Sequence, residues 1–249
     1  MRIAFLADIH SNLQALEAVI KKLKTLGEFD AVFVAGDIVG YGANPKECIQ
    51  IIKNLSSYVC MGNHDSAVAG IISPETFNSD AKIAVEWTRN QLSTSELEWL
   101  SSLPLIVNYK EINWTIVHGS LINPESYIYL ASYEDAEECF AKQETRFCLV
   151  GHTHTPLVFA KLKEEKGLSG AYLEPGKLKL NSQIGKIILN SGSVGQPRDG
   201  DPRASFAIYD SDKDEIEIFR VSYDIKEATN RILDASLPES LALRLYQGW

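Results

Sequence analysis

Short apolar runs alternate with helical repeats along the first sixty residues. Ile3 to Ala7 is unbroken apolar, as in a strand buried on both faces. Leu13, Leu16, Ala18, Val19, Ile20 and Leu23 then recur at helical spacing up to Gly27. Ala31 to Ala35 reads as a second strand. Pro45 to Asn54 reads as a helix with proline in its first turn, and Ser57 to Met61 as a third strand. Strand, helix, strand, helix, strand predicts βαβ units around a parallel sheet.

Residues 66–103 are mostly helical in pattern, most clearly at Ala81 to Leu92 and Ser95 to Leu100. Strand-like runs follow at Leu105 to Tyr109 and Trp114 to Val117, with a turn near Glu111. Glu134 to Lys142 repeats as a helix, and Phe147 to Val150 as a buried strand. Beyond it the pattern is strand-rich: Leu157 to Leu162, Gly170 to Leu173, Lys186 to Asn190, Ala204 to Tyr209 and Glu215 to Val221. A helix from about Ile225 closes the chain. Lys161 to Gly167 and Asp210 to Asp214 read as charged turns. Trp87, Trp99 and Trp114 read as core residues. No repeat or linker divides the 249 residues, so a single domain over 1–249 is expected.

Composition narrows the class. Apolar residues at 45% and charged residues at 23% are ordinary for a globular chain. No run approaches the roughly 18 apolar residues of a membrane span, and Met1-Arg2 leads straight into the first strand, so a cytoplasmic protein is expected. The four cysteines show no paired motif and read as buried thiols. A net charge of −9 without a basic stripe argues against long nucleic acid as a partner.

The candidate chemistry lies where the apolar runs stop. LADIH, FVAGD, CMGNHD, IVHGS and LVGHTH each end a strand in polar, ligand-capable residues. They contain all five histidines. Hydrogen bonding explains one buried histidine; five at strand tips point to a site. Asp8-x-His10 and His152-x-His154 are i, i+2 pairs, expected on extended backbone to leave on one side. Asp8, His10, Asp37, Asn63, His118, His152 and His154 give seven N/O donors and no thiolate. That set suits Mn, Fe, Zn, Ni or Co and exceeds what one catalytic ion takes. With one carboxylate shared it fits two divalent ions, and such a centre attracts phosphate even in an acidic chain.

The ordered blocks Asp8-x-His10, Gly36-Asp37, Gly62-Asn63-His64-Asp65, His118-Gly119 and Gly151-His152-x-His154 resemble the calcineurin-like metallophosphoesterases. Together with LNSGSVGQPRDGDPRAS they resemble the small prokaryotic phosphodiesterase branch over nearly the whole chain. The resemblance implies an α/β fold, a four-layer α/β/β/α sandwich of two packed mixed sheets flanked by helices. It implies one ion on Asp8, His10 and His154, a second on Asn63, His118 and His152, and Asp37 between them, manganese being the favoured metal. It implies hydrolysis of a small phosphate ester by in-line attack of metal-bound hydroxide, with a protonated His64 assisting and Asp65 orienting either His64 or the turn. The Gly36 to Gly42 block lacks the arginine of the phosphoprotein phosphatases, which disfavours a protein serine/threonine phosphatase. Asn190-Ser191-Gly192-Ser193 lacks the proline usual in the branch, a change to the turn rather than the chemistry.

Arg198 and Arg203 flank Asp199 to Pro202 and are candidates to clamp a phosphodiester, against a solvated loop with local Arg–Asp pairs. Asn12 and Tyr41 adjoin the ligand blocks and are candidate pocket residues, with a helix N-terminal role as the alternative for Asn12. Phosphodiester hydrolysis is the favoured activity. Its rivals are monoester or dinucleoside polyphosphate hydrolysis and, from another class, a non-catalytic scaffold, which would be expected to lose His64 or a ligand. A single-metal amidohydrolase would open on H-x-H, whereas this chain opens on D-x-H.

Overall fold

The computed structural model describes residues 1–56, 58–163 and 167–249. Ser57, at the start of the expected third strand, and residues 164–166, inside the expected charged turn, lie outside the described residues.

The first sheet contains strands β1 (Arg2–Leu6), β2 (Ala31–Val34) and β3 (Tyr58–Val59). They are linked by helices α1 (Leu13–Thr25) and α2 (Pro45–Leu55). Asn12 caps α1 by accepting from the Ala15 N–H at 3.1 Å, and Ala15, Leu16, Val19 and Leu23 form its buried face. Pro45 stands in the first turn of α2, which buries Cys48, Ile49 and Ile52.

Helices α3 (Asn63–Ala69), α4 (Ser79–Gln91) and α5 (Thr94–Ser101) follow. The second sheet begins with β4 (Ile106–Tyr109) and β5 (Trp114–Val117), then helix α6 (Tyr133–Lys142), β6 (Phe147–Val150), β7 (Pro156–Leu162) and β8 (Leu168–Tyr172). The chain continues through β9 (Gly176–Lys179), β10 (Ile184–Ser191), β11 (Ala204–Asp210) and β12 (Glu215–Val221) to α7 (Ile225–Asp234) and α8 (Glu239–Gln247).

Strand order is β3-β2-β1-β11-β12-β9 in one sheet and β4-β5-β6-β10-β7-β8 in the other. β1, β2 and β3 run parallel, as their helical crossovers require. β11 then returns antiparallel beside β1, so the sheet is mixed rather than wholly parallel. The second sheet is mixed too, with β5, β6 and β10 parallel and β4, β7 and β8 antiparallel to their neighbours.

Side-chain alternation separates the layers. Ile3, Phe5 and Ala7 pack between the sheets with Phe33, Trp114, Phe147 and Leu189. Trp114 stacks on Phe147 at 4.6 Å and meets Phe5 at 4.5 Å. Ala4 and Leu6 face the other way, into a core shared with α1 and α2. Cys148, Val150 and Ile188 of the second sheet pack beneath Ala136, Cys139 and Phe140 of α6. The result is helix, sheet, sheet, helix, the expected sandwich, with the carboxyl ends of β1, β2, β5 and β6 meeting at one edge.

The expected C-terminal helix is two helices, because the chain turns before Glu239 at Pro238. The edge strand β9 was not expected from its pattern: Gly-Lys-Leu-Lys is mostly exposed.

Candidate metal centre

Asp8 and His10 leave the end of β1, Asp37 the end of β2, and His118 the end of β5. His152 and His154 follow β6, and Asn63 opens α3. All seven side chains are nearly fully buried, the most exposed being His152 at 7%. Asp8, His10, Asp37 and His154 present ligand atoms all within 4.8 Å of one another, and Asp37, His118 and His152 do the same. Asn63 Oδ1 joins the second group, 3.1 Å from His118 Nε2.

The backbone reason differs from strand alternation. Asp8, His10, Asp37, His152 and His154 all have φ between 49° and 67°. The chain has left the strand and entered the left-handed region, which non-glycine residues avoid at a cost of order 1–3 kcal/mol each. The i, i+2 pairs therefore converge through tight turns, not through extended backbone. Those turns are tied together by main-chain hydrogen bonds from Asp8 to Gly36, from His10 to Asp37 and from Gly151 to His118, at 2.8–3.1 Å.

Three histidines have their ring orientation fixed by backbone carbonyls. His10 Nδ1 donates to Val39 O at 3.2 Å, His118 Nδ1 to Ala35 O at 2.6 Å and His154 Nδ1 to Gln196 O at 2.6 Å. A carbonyl only accepts, so each Nδ1 carries hydrogen and each Nε2 faces the centre. His10 Nε2 and His154 Nε2 consequently face each other at 3.1 Å with lone pairs, an arrangement that calls for a cation between them. Burial pushes both rings well below the usual imidazole range.

Asp37 Oδ1 accepts from the His64 N–H at 2.8 Å. Its Oδ2 is buried without a hydrogen-bond partner among the described residues, 3.6 Å from His10 Nε2 and 3.3 Å from His118 Nε2. Burial alone would raise the pKa of Asp37, but the His118 charge prevails and holds it ionised. Burial alone would lower His118, and the Asp37 carboxylate overrides it, raising the ring to about 9. Asp8, desolvated by burial, is pushed up to about 7. Orphaned oxygen, opposed lone pairs and an N/O donor set all fit divalent transition metal.

Beside this cluster opens a cavity of about 500 Å³. His64 lines it, its ring stacked on Phe77 at 5.0 Å and packed against Tyr41 at 4.4 Å. Burial pushes His64 down to about 4, so the ring is neutral at pH 7 before an anion enters, not protonated as expected. Tyr41 and Arg198 also line the cavity, and Arg198 Nη2 lies 3.4 Å from Tyr41 Oη and 3.1 Å from Gln196 Oε1.

The other sequence candidates lie elsewhere. Arg203 is held in an exposed forked pair with Asp201 and is not among the lining residues, so the two arginines do not form one clamp. Asn12 is buried as the α1 cap and donates to Gly195 O at 2.8 Å. Asp65 accepts from the N–H groups of Ile38, Val39 and Gly62, so it braces the turns rather than His64. Phe77, Tyr127 and Tyr129 line the cavity without having been singled out. The two tyrosines of YIYL, after the His118 block, are the sequence signal that marks the last two.

Two mixed sheets with an Asp/His cluster across their carboxyl edges define a metal-site phosphoesterase architecture. The calcineurin-like phosphoesterase family model matches residues 1–156. A metallophosphoesterase from Sphaerobacter thermophilus superposes with a TM-score of 0.86 at 40% identity, covering 100% of this chain and 99% of that one. Protein PH1004 of Pyrococcus horikoshii superposes at 0.80 with 25% identity, covering 100% and 98%. The uncharacterized protein MJ0912 of Methanocaldococcus jannaschii is 42% identical over 99% of this chain and 98% of its own. A symmetrical bis(5'-nucleosyl)-tetraphosphatase of Actinobacillus succinogenes is 24% identical over 47% of this chain, a match spanning 43% of that protein's length. The chain belongs to the calcineurin-like phosphoesterase family.

Proposed function

We propose that the chain is a dinuclear metal-dependent hydrolase of small phosphate esters, with phosphodiesters favoured. The observation that carries this reading is Asp37 Oδ2, which faces both histidine groups and has no other partner among the described residues. Asp8, His10 and His154 would hold one ion, Asn63, His118 and His152 the other, and Asp37 would serve both. This imidazole, carboxylate and amide set suits Mn, Fe, Zn, Ni or Co, and manganese is the occupant we favour. Divalent ions there would supply Lewis acidity toward phosphoryl oxygens and an acidified water.

The chain's own residues do the rest. Arg198 brings to the cavity a guanidinium that pairs with no carboxylate among the described residues, suited to a phosphoryl oxygen. His64, neutral beforehand, donates an N–H hydrogen bond to the phosphoryl or leaving oxygen. The negative charge of a bound ester raises its proton affinity as the leaving group departs. Tyr41 and Phe77 hold the ring in place and exclude water around it.

A second reading, hydrolysis of a dinucleoside polyphosphate, draws on the partial match to the tetraphosphatase. The four cysteines, all buried and free, accord with a cytoplasmic setting.

The test is hydrolysis of a chromogenic phosphodiester and the matching monoester by metal-stripped protein with Mn²⁺, Zn²⁺, Ni²⁺ or Mg²⁺ restored. Metal-dependent diester turnover that collapses about 10²–10⁴-fold in His64→Ala, with metal content unchanged, supports the proposal. Full metal occupancy with no cleavage of any phosphate ester, dinucleoside polyphosphates included, would leave a scaffold.

A further inference from the structure

We propose that the cavity binds the ester group of its substrate by stacking a nucleobase on Tyr129, which makes nucleotide esters the substrate class. The inference deepens the phosphoester reading above and rests on it. Tyr129 lies against the His152 ring, with centroids 4.0 Å apart and planes at 23°. Yet it remains 51% exposed and lines the cavity. One ring face is covered by a candidate metal ligand while half of the residue stays exposed to the cavity, so a base on Tyr129 and a phosphate at the metals would occupy adjoining surfaces.

The platform is rigidly mounted. A Cβ on Gly119, the residue after His118, would stand 2.7 Å from Ile128 O and 3.0 Å from the Tyr127 carbonyl carbon. The backbone before Tyr129 therefore rests directly on the end of β5, at a distance only glycine permits. Asn123 and Tyr127 hold left-handed conformations, with φ of 44° and 48°. The ring of Tyr127 is buried edge-on to His118, with centroids 6.0 Å apart. A ring fixed in this way loses little freedom when a ligand stacks on it.

The polar part of the lining, which faces Ile72, Phe77 and Ala81 in the same cavity, favours a base over a hydrocarbon chain. Glu125 and Ser126 line the cavity from the turn that carries Tyr129, and Thr76 and Asn78 line it from another segment. An alkyl ester would strip water from these groups and return no hydrogen bonds. A nucleobase offers a π face to the tyrosine and donors and acceptors at its edge.

The experiment is calorimetric binding of two non-hydrolysable probes with C–P bonds, 5'-deoxy-5'-phosphonoadenosine and methylphosphonate, to Mn²⁺-loaded protein. We expect the nucleoside probe to bind at least about tenfold tighter. Tyr129→Ala should remove that advantage, read as the ratio of the two affinities at matched Mn²⁺ content, and Tyr129→Phe should restore it. Equal affinity for both probes, or an equal loss for both in Tyr129→Ala, would overturn the inference, since the ring would then only orient His152. Tyr129-dependent binding without turnover of any ester would sink the hydrolase reading while leaving base stacking intact.

Discussion

The backbone N–H of His152 donates to both carboxylate oxygens of Asp8, at 3.1 Å each. This hydrogen bond joins the tip of β1 in one sheet to the tip of β6 in the other. It holds the two ligand-bearing turns in register, yet it does not repay the cost of desolvating the carboxylate, whose pKa stays raised.

That imbalance predicts a trade of stability for function. The folded-state pKa of Asp8 lies above its ordinary 3.8, near 7. Below the ordinary value the carboxyl is neutral whether folded or unfolded and carries no penalty. Between the ordinary value and about 7 the unfolded chain gives up this proton while the fold keeps it, so the metal-free fold loses stability across that window and levels off above it. Asp8→Asn keeps an acceptor for His152 and removes the buried charge. We expect the metal-free variant to be about 1–3 kcal/mol more stable than wild type at pH 8, with no gain at pH 4. The same variant should be less stabilised by Mn²⁺. Thermal unfolding with and without metal at both pH values checks this.

Metal uptake should release protons. At pH 7 metal-free His118 holds its proton, and Asp8 is about half protonated. Metal binding requires both deprotonated, so affinity should rise from pH 6 to pH 9 and level off above it. We expect about one to two protons released per protein at pH 7. Calorimetry in buffers of different ionisation enthalpy counts them directly.

Gly40 has φ of 92°, and a Cβ there would collide with His64 Nδ1. Gly40→Ala should push the His64 ring out of its place between Tyr41 and Phe77 while leaving the metal ligands present. The expected result is a fall in kcat of about 10²–10⁴-fold with metal content retained. Steady-state kinetics alongside metal analysis test it.

The two arginines of the 198–203 segment should behave differently. Arg198 faces the cavity, whereas Arg203 grips Asp201 in solvent. Removing the first should raise KM about tenfold or more, as expected for a charged hydrogen bond to substrate. Removing the second should leave KM within about twofold, because exposed pairs contribute little. Arg198→Ala and Arg203→Ala, assayed on one phosphodiester, make the comparison.

Much of the layering was legible because burial writes itself into periodicity. Phe147 to Val150 is an uninterrupted apolar run, Trp114 to Val117 is broken only by Thr115, and both are strands at those bounds. Asn63 and His64 were harder to place. Their polar block reads as a strand tip, but it forms the first turn of α3, where Asp65 accepts from the Gly62 N–H as a cap. The composition of the site was legible, since carboxylate, imidazole and amide cluster in five blocks. Its geometry was not: the left-handed backbone at Asp8, His10, Asp37, His152 and His154 is imposed by contacts between turns far apart in sequence. Phe77 and Tyr129 escaped notice because each is a side chain in a non-repeating loop, and only the folded chain brings them beside His64 and His152.

The most direct measurement is phosphodiester turnover by the metal-stripped protein as Mn²⁺ is titrated in and bound metal is counted. A centre in which Asp37 serves two ions should show little turnover at one equivalent and a steep rise as the second binds. Asp37→Ala should stay inactive at any Mn²⁺ concentration. Full turnover at a single equivalent, or no turnover with two bound, would contradict a dinuclear hydrolase.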